Sequence, residues 1–329
     1  MGNPGAVPSS MTFACAESLE NIGKEPVREV GRMTELTTHT LEVPGAVLTY
    51  DVRRNGASTE PPLMLIGEPM GAAGFGTLSG YFTDRTVITY DPRGVERSKR
   101  TEGAGQSTRE EHADDVHRVV ETVGGPVDLF ASSGGAINAL ALVALHPEDV
   151  RTLVAHEPPM VNLLPDRDAV GSASRAVHAT YMRSGFGAGL AHFIAMTSHK
   201  GPFPDDWSKQ PAPDPAIYGL PTEDDGSRDD PLLGQDPDSE PEYLPDFEAL
   251  RAASTRVIIA AGAESEGELT HRAAAAVAQR QGTEPVIFPS GHAGFLGGEY
   301  GQMGEPEAFA ARLREVLEPP LRSDLDPPH

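Results

Sequence analysis

Ser133 stands in the run ASSGG, residues 131–135, directly after the strand-like VDLF and directly before the helical stretch AINALALVALHP. A serine hydroxyl is a weak nucleophile at neutral pH. It becomes useful when a base takes its proton, a third group orients that base, and donors meet the developing oxyanion. A small residue two places before and two places after the serine lets a strand turn sharply into a helix and expose the hydroxyl at the bend. Ser132 fits less well, because Phe130 would then occupy the first small position. A tight glycine turn without chemistry would hold the same glycines, but the strand before and the helix after favour Ser133 as nucleophile.

The base should lie late in the chain, on a loop after the last strand. Of eleven histidines, only His292, in VIFPSGHAGFL, combines a preceding strand, a glycine turn and an apolar Phe-Leu anchor. His146, before Pro147, and His271, on an Ala-rich helix, read as helix-surface residues. Gly134 follows the nucleophile and can donate its backbone N–H to an oxyanion. A second donor is expected from LMLIGEPMGAAGF, where Glu68 or Met70 could supply an N–H and Pro69 cannot. Only the backbone of Glu68 is proposed as donor, since its carboxylate must point away or be neutralised.

Elements to hold these groups can be read from the periodicity. LEVPGAVLTYDVR predicts an antiparallel hairpin; PPLMLIGEP, RTVITYDPRG, VDLFASS, RTLVAHEPP, TRVIIAAG and TEPVIFPSGH predict further strands. Helices are predicted at STREEHADDVHRVVETVGG, with Ser107 or Thr108 as cap and an apolar stripe of Val116, Val119, Val120 and Val123, at GGAINALALVALHP, at LTHRAAAAVAQRQG closed by Gly282, and at PEAFAARLREVLE. Strands alternating with helices predict a mostly parallel sheet covered by helices. Residues 161–254 differ: helical periodicity comes first, then an Asp- and Pro-rich stretch, read as an inserted lid or, for residues 204–242, as a solvated linker.

Through IGEPMGAAGF, YDPRGVERS, ASSGG, HEPP and SGHAGF the chain resembles the α/β-hydrolase superfamily over roughly residues 41–318. The resemblance implies a Ser-acid-His triad under a cap. Asp91, Arg93, Gly94 and Ser98 match the superfamily's YDxRGxGxS turn, with Glu96 in place of the inner Gly, and are read as holding that turn. The domain reading is an N-terminal extension over 1–40, a core of 41–160 and 255–318, a mainly helical cap over 161–254, and a tail over 319–329.

The acid departs from the superfamily pattern. An Asp is usual three residues after the glycine ending the strand before the last helix–strand pair, and in VIIAAGAESEGE that place holds Ser265. A known alternative puts the acid one strand earlier, where TLVAHEPP offers Glu157. Glu157 is the first choice, Glu264 the second and Glu266 the third.

With 26 Lys and Arg against 49 Asp and Glu, the net charge of −23 repels phosphate backbones and anionic bilayers, so nucleic acid and membrane are excluded as expected partners. Cys15 is the single cysteine, which rules out an intramolecular disulfide. The first thirty-two residues carry no secretory pattern, and a cytoplasmic enzyme is expected, with Met33 opening a more ordinary beginning. His112 and His117, five apart on one helix, do not share a face, and GAAGFG lacks nucleotide-loop spacing, so neither metal nor cofactor is expected. The oligomeric state is not legible. The function expected is hydrolysis of a small or medium apolar ester or lactone through an acyl-enzyme. The alternative is a non-hydrolytic protein of the same fold, a ligand binder, lyase or cofactor-free haloperoxidase-like enzyme.

Overall fold

A computed structural model describes residues 36–101, 107–238 and 243–318. All of them fall within one compact unit. The expectations for residues 1–32, Cys15 among them, and for the tail 319–329 lie outside the described residues.

In chain order the strands are β1 (Leu36–Val43), β2 (Ala46–Arg53), β3 (Leu63–Ile66), β4 (Val87–Asp91), β5 (Lys99–Arg100), β6 (Val127–Ser132), β7 (Val150–His156), β8 (Arg256–Gly262) and β9 (Val286–Phe288). The helices are α1 (Gly76–Gly80), α2 (Arg109–Val123), α3 (Gly134–Leu145), α4 (Arg167–Thr197), α5 (Phe247–Ala252), α6 (Leu269–Gln281) and α7 (Pro306–Leu317). The sheet runs β1-β2-β4-β3-β6-β7-β8-β9, with β5 paired to β2. The β1–β2 hairpin and the β2–β4 pair are antiparallel, and every pair from β4 to β9 is parallel.

The apolar runs of the central strands reflect burial on both faces. Met64, Ile66, Leu129, Ala131, Leu153 and Ala155 enter one hydrophobic cluster with α2, α3, α5 and α6. The alternate residues Leu63, Leu65, Phe130 and Val154 enter a second with α1 and α7. Period-two alternation of side chains thus puts the core on both sides of the sheet. α2 begins with a capping box in which Thr108 and Glu111 exchange hydrogen bonds, and left-handed Gly124 ends it.

Two boundaries differ from the sequence reading. The first strand starts at Leu36 rather than after residue 40, because Leu36–Thr40 are all exposed and carry no alternating apolar signal. At the other end of the insertion, Phe247 and Leu250 of α5 are buried in the cluster with α2, α3 and α6, so this short helix packs with the core. Between them, α4 breaks at Gly185, whose φ of 82° only glycine takes readily. Phe203, Trp207 and Leu233, from the Asp- and Pro-rich side, are buried with Val170, Val177 and Tyr181 of α4. Trp207 and Leu233 thus fasten that stretch to the helix, while the residues between them, 208–232, are mostly exposed.

β3 lies between β4 and β6, so the connections leaving β3 and β6 go to opposite sides. The crevice at such a reversal, beyond the carboxyl ends of the strands, is where open α/β sheets bind ligands. Glu68 follows β3 there, and Ser133 follows β6.

Candidate active site

Ser133 occupies the bend between β6 and α3 with φ 57° and ψ −129°, a conformation costly for a residue with a Cβ. Its N–H donates to the carbonyl of His156 at 3.0 Å, which fixes the bend to the end of β7. The small residues after it are required chiefly by the loop following β3. A Cβ on Gly135 would lie 2.7 Å from the Cα of Gly67, and one on Gly134 would lie 2.9 Å from the carbonyl oxygen of Glu68. The helix begins at Gly134, so the positive end of its dipole faces the bend.

His292 lies on the loop after β9, half-buried, with Phe295 and Leu296 anchored in the core behind it. Its Nδ1 is 2.6 Å from Oε2 of Glu157. Glu157, the residue after β7, is fully buried with φ 47°. Oε1 of Glu157 also accepts from the N–H of Gly262 at 2.9 Å and from the hydroxyl of Ser265, and Oε2 accepts from Oγ1 of Thr270 at 2.7 Å. Burial alone would raise the pKa of this carboxyl. The hydrogen bond from His292, the neighbouring imidazoles and the Ser265 hydroxyl outweigh it, and Glu157 is held well below the usual carboxylate range. Glu264 and Glu266 are exposed, Glu264 accepts from Oγ of Ser290 at 3.1 Å, and neither bonds His292 among the described residues. Ser265, where an acid is usual, is a donor to Glu157.

No hydrogen bond joins Oγ of Ser133 to His292 among the described residues; such contacts commonly tighten only when substrate binds. A second imidazole lies beside the pair. His156 is fully buried and parallel to His292 with ring centroids 6.0 Å apart. Burial holds it down to about 4, so it is neutral at pH 7; its Nδ1 lies 3.2 Å from Oγ of Ser132.

The Glu68 carboxylate is neutralised. Arg109 Nη1 donates to Oε2 at 2.5 Å, Asn138 Nδ2 donates to Oε2 at 2.8 Å, and His112 Nε2 is 3.1 Å from Oε1. Against the effect of burial, His112, Arg109 and Asn138 hold Glu68 down to about 2. Met70 folds back along the same loop, its side chain against Gly67 and Gly74. The turn residues of YDPRG make structural pairs: Arg93 bonds Asp115 through two nitrogens, both at 2.7 Å, and Asp91 accepts the N–H of Ala72 at 2.8 Å. Glu96 adopts φ 47°, the conformation that explains the superfamily's usual glycine there.

Among the described residues, His117, His146 and Asp149 bring ligand-type atoms within 4.8 Å of one another. They sit at the beginning of β7, the end of the strand opposite to Glu157. The two rings stack at 3.9 Å and 13°, so their in-plane lone pairs do not converge on one point, and Nδ1 of His117 is taken by Asp149 at 2.6 Å. His146, expected on a helix surface, is therefore the half-buried end of α3. The segment from Asp166 to Gly201 is moored to the loop that carries Ser265 and to α6: Lys200 Nζ donates to the carbonyl of Glu264 at 3.2 Å, Gly201 N–H to that of Gly267 at 2.8 Å, and Arg272 pairs with Asp166. No helix among the described residues is long and apolar enough to cross a membrane.

Sequence reasoning missed Thr270, Arg109, His112 and Asn138 as neighbours of the site. Asn138, a lone amide in an apolar helix, was the one signal available.

A family described as the alpha/beta hydrolase fold matches residues 77–212. An uncharacterized hydrolase, YraK, of Bacillus subtilis (strain 168) is 29% identical over 286 residues, covering 85% of this chain and 95% of its own. The carboxylesterase CesB (YbfK) from Bacillus subtilis superposes with a TM-score of 0.58 at 14% identity, covering 86% of this chain and 92% of the other. The enol-lactonase from Burkholderia xenovorans LB400 gives 0.55 at 15% identity, covering 85% and 99%. A thermophilic esterase from Thermogutta terrifontis gives 0.56 at 20% identity, covering 86% and 98%. At these identities the structures speak for the fold alone. Together with the sheet order, the bend at Ser133, the matched family and the YraK relative, they give this chain the α/β-hydrolase fold.

Proposed function

We propose that the protein is a serine hydrolase of small or medium apolar esters or lactones, with Ser133 as nucleophile, His292 as base and Glu157 as the acid that orients His292. The observation that carries the reading is the 2.6 Å contact between His292 and the buried, ionised Glu157, on the edge of the sheet where Ser133 is presented. The carboxylesterase and enol-lactonase among the structural neighbours support the choice of ester chemistry.

In this reading Oγ of Ser133 attacks the acyl carbon while Nε2 of His292 takes its proton, and Glu157 stabilises the imidazolium that forms. The carbonyl oxygen becomes an oxyanion facing the N–H groups of Gly134 and Glu68. Collapse expels the alcohol, which receives the proton from His292 and leaves an acyl-serine. Water repeats the sequence and releases the acid. Neither a metal nor a cofactor enters a step.

A fluorophosphonate probe tests this directly. The expected result is covalent labelling of the wild type and none of Ser133→Ala, with turnover of a p-nitrophenyl ester lost in the same variant. Labelling that survives the substitution overturns the assignment. Tight ligand binding without turnover of esters, lactones or thioesters would point to the non-hydrolytic alternative.

A further inference from the structure

Glu68 combines a place beside the proposed oxyanion site with a side chain that should repel an oxyanion. The residues around it resolve the conflict. Arg109 and His112 stand one turn apart on α2, and both reach the Glu68 carboxylate. Helix preference does not account for Arg109, because a cation in the first turn opposes the dipole. Asn138 is fully buried in α3, and a buried amide needs partners. It finds them in Glu68 Oε2 at 2.8 Å and Arg109 Nη1 at 3.1 Å.

Asn138 also lies four residues after Gly134, on the same face of α3. The side chain of Glu68 is therefore fastened one helical turn from the residue whose N–H would be the other oxyanion donor. The contact is close as well as polar: a Cβ on Gly134 would lie 3.1 Å from Oε2 of Glu68 and 3.2 Å from its Cβ.

We propose that the Glu68 side chain is a positioning group that fixes the two oxyanion donors, its own N–H and that of Gly134, at a set separation through Asn138, and that Arg109 cancels the charge this clamp would otherwise present to the oxyanion. The proposal rests on the serine-hydrolase reading above. An acceptor is needed at Oε2 to hold Asn138, and a negative charge is not. Removing the acceptor loosens the donors; removing Arg109 takes the guanidinium charge away from a carboxylate beside the developing oxyanion.

The test is the second-order rate at which a fluorophosphonate labels Ser133 in the full chain, since phosphonylation develops charge on the oxygen facing those donors. Loss of a whole oxyanion donor costs about 100- to 1000-fold, so a loosened one in Glu68→Ala should slow labelling by about 30-fold. Glu68→Gln keeps an acceptor and should recover most of that loss. Arg109→Met should slow labelling by about 10-fold, and adding Glu68→Gln to it should restore the rate, which a merely structural contact would not do. Thermal unfolding of each variant fixes a temperature at which all are folded; the Gln variants carry the test if the Ala variant is not.

The proposal is overturned if wild type is labelled at Ser133 while Glu68→Ala and Arg109→Met react within about twofold of it, or if Glu68→Gln makes Arg109→Met slower still. Absence of labelling in the wild type overturns the hydrolase reading itself, and this inference with it.

Discussion

Oε2 of Glu157 and Nδ1 of His292 lie 2.6 Å apart across 135 residues of sequence, and the loop after β8 closes around the contact. Four donors converge on this one carboxylate, from Gly262, Ser265, Thr270 and His292. Two of them flank the place where superfamily members usually carry the acid itself. A hydroxyl at 265 completes the coordination of a carboxylate at 157.

Glu157→Gln should reduce turnover by about 1000- to 10000-fold, the scale of losing a triad acid. Glu264→Gln and Glu266→Gln, at exposed positions, should each retain most of the wild-type rate. Steady-state kinetics on a p-nitrophenyl ester checks all three. Equal loss in the Glu264 and Glu157 variants would sink the assignment of the acid.

Thr270→Val removes one donor without changing shape. A hydrogen bond to a charged group contributes about 1.5–3 kcal/mol, so urea unfolding at pH 7 should show a loss of that order. The donor favours the ionised form of Glu157, so the deficit should be full at pH 7 and shrink in acid as that carboxyl takes up its proton. A deficit that stays constant with pH would leave Thr270 with a packing role only.

Acid should destabilise the protein in two stages. His156 takes up its proton near 6.5 in the unfolded chain but only near 4 when folded. As pH falls through that window the unfolded state binds the extra proton, and stability drops by about 3 kcal/mol. Glu68, held down to about 2, and Glu157, also held low, contribute stability that is full above about 4.5 and is lost as pH falls below it. Denaturant unfolding from pH 7 to 4.5 should show the first stage in wild type and a much shallower slope in His156→Phe. A slope unchanged by that substitution would assign the loss elsewhere.

Gly135→Ala would put a methyl group 2.7 Å from the Cα of Gly67 and 2.9 Å from its carbonyl carbon, both backbone atoms that cannot swing aside. The expected cost is about 1–3 kcal/mol of stability, the range for overpacking. Displacement of the loop carrying Glu68 should also slow Ser133 labelling far more than it weakens binding of an unreactive ester analogue. A melting temperature and labelling rate equal to wild type would show that the loop yields freely.

Local pattern determined a good part of this protein from the sequence alone. Strands announced themselves because the sheet is covered on both faces, and α2 by its cap and valine stripe. The bend at Ser133 was legible because it demands small residues within a few positions, and the anchored loop of His292 because its turn and Phe-Leu pair are contiguous. What the sequence left open were relations between distant side chains. Three carboxylates competed as partner for His292, and only the closing of β7 against β8 buried Glu157 and left Glu264 and Glu266 in solvent. The charge on Glu68 looked like a liability until α2 and α3 packed together and brought Arg109, His112 and Asn138 onto it. Buried polar groups are satisfied by whatever the fold brings near, and no spacing along the chain encodes that meeting.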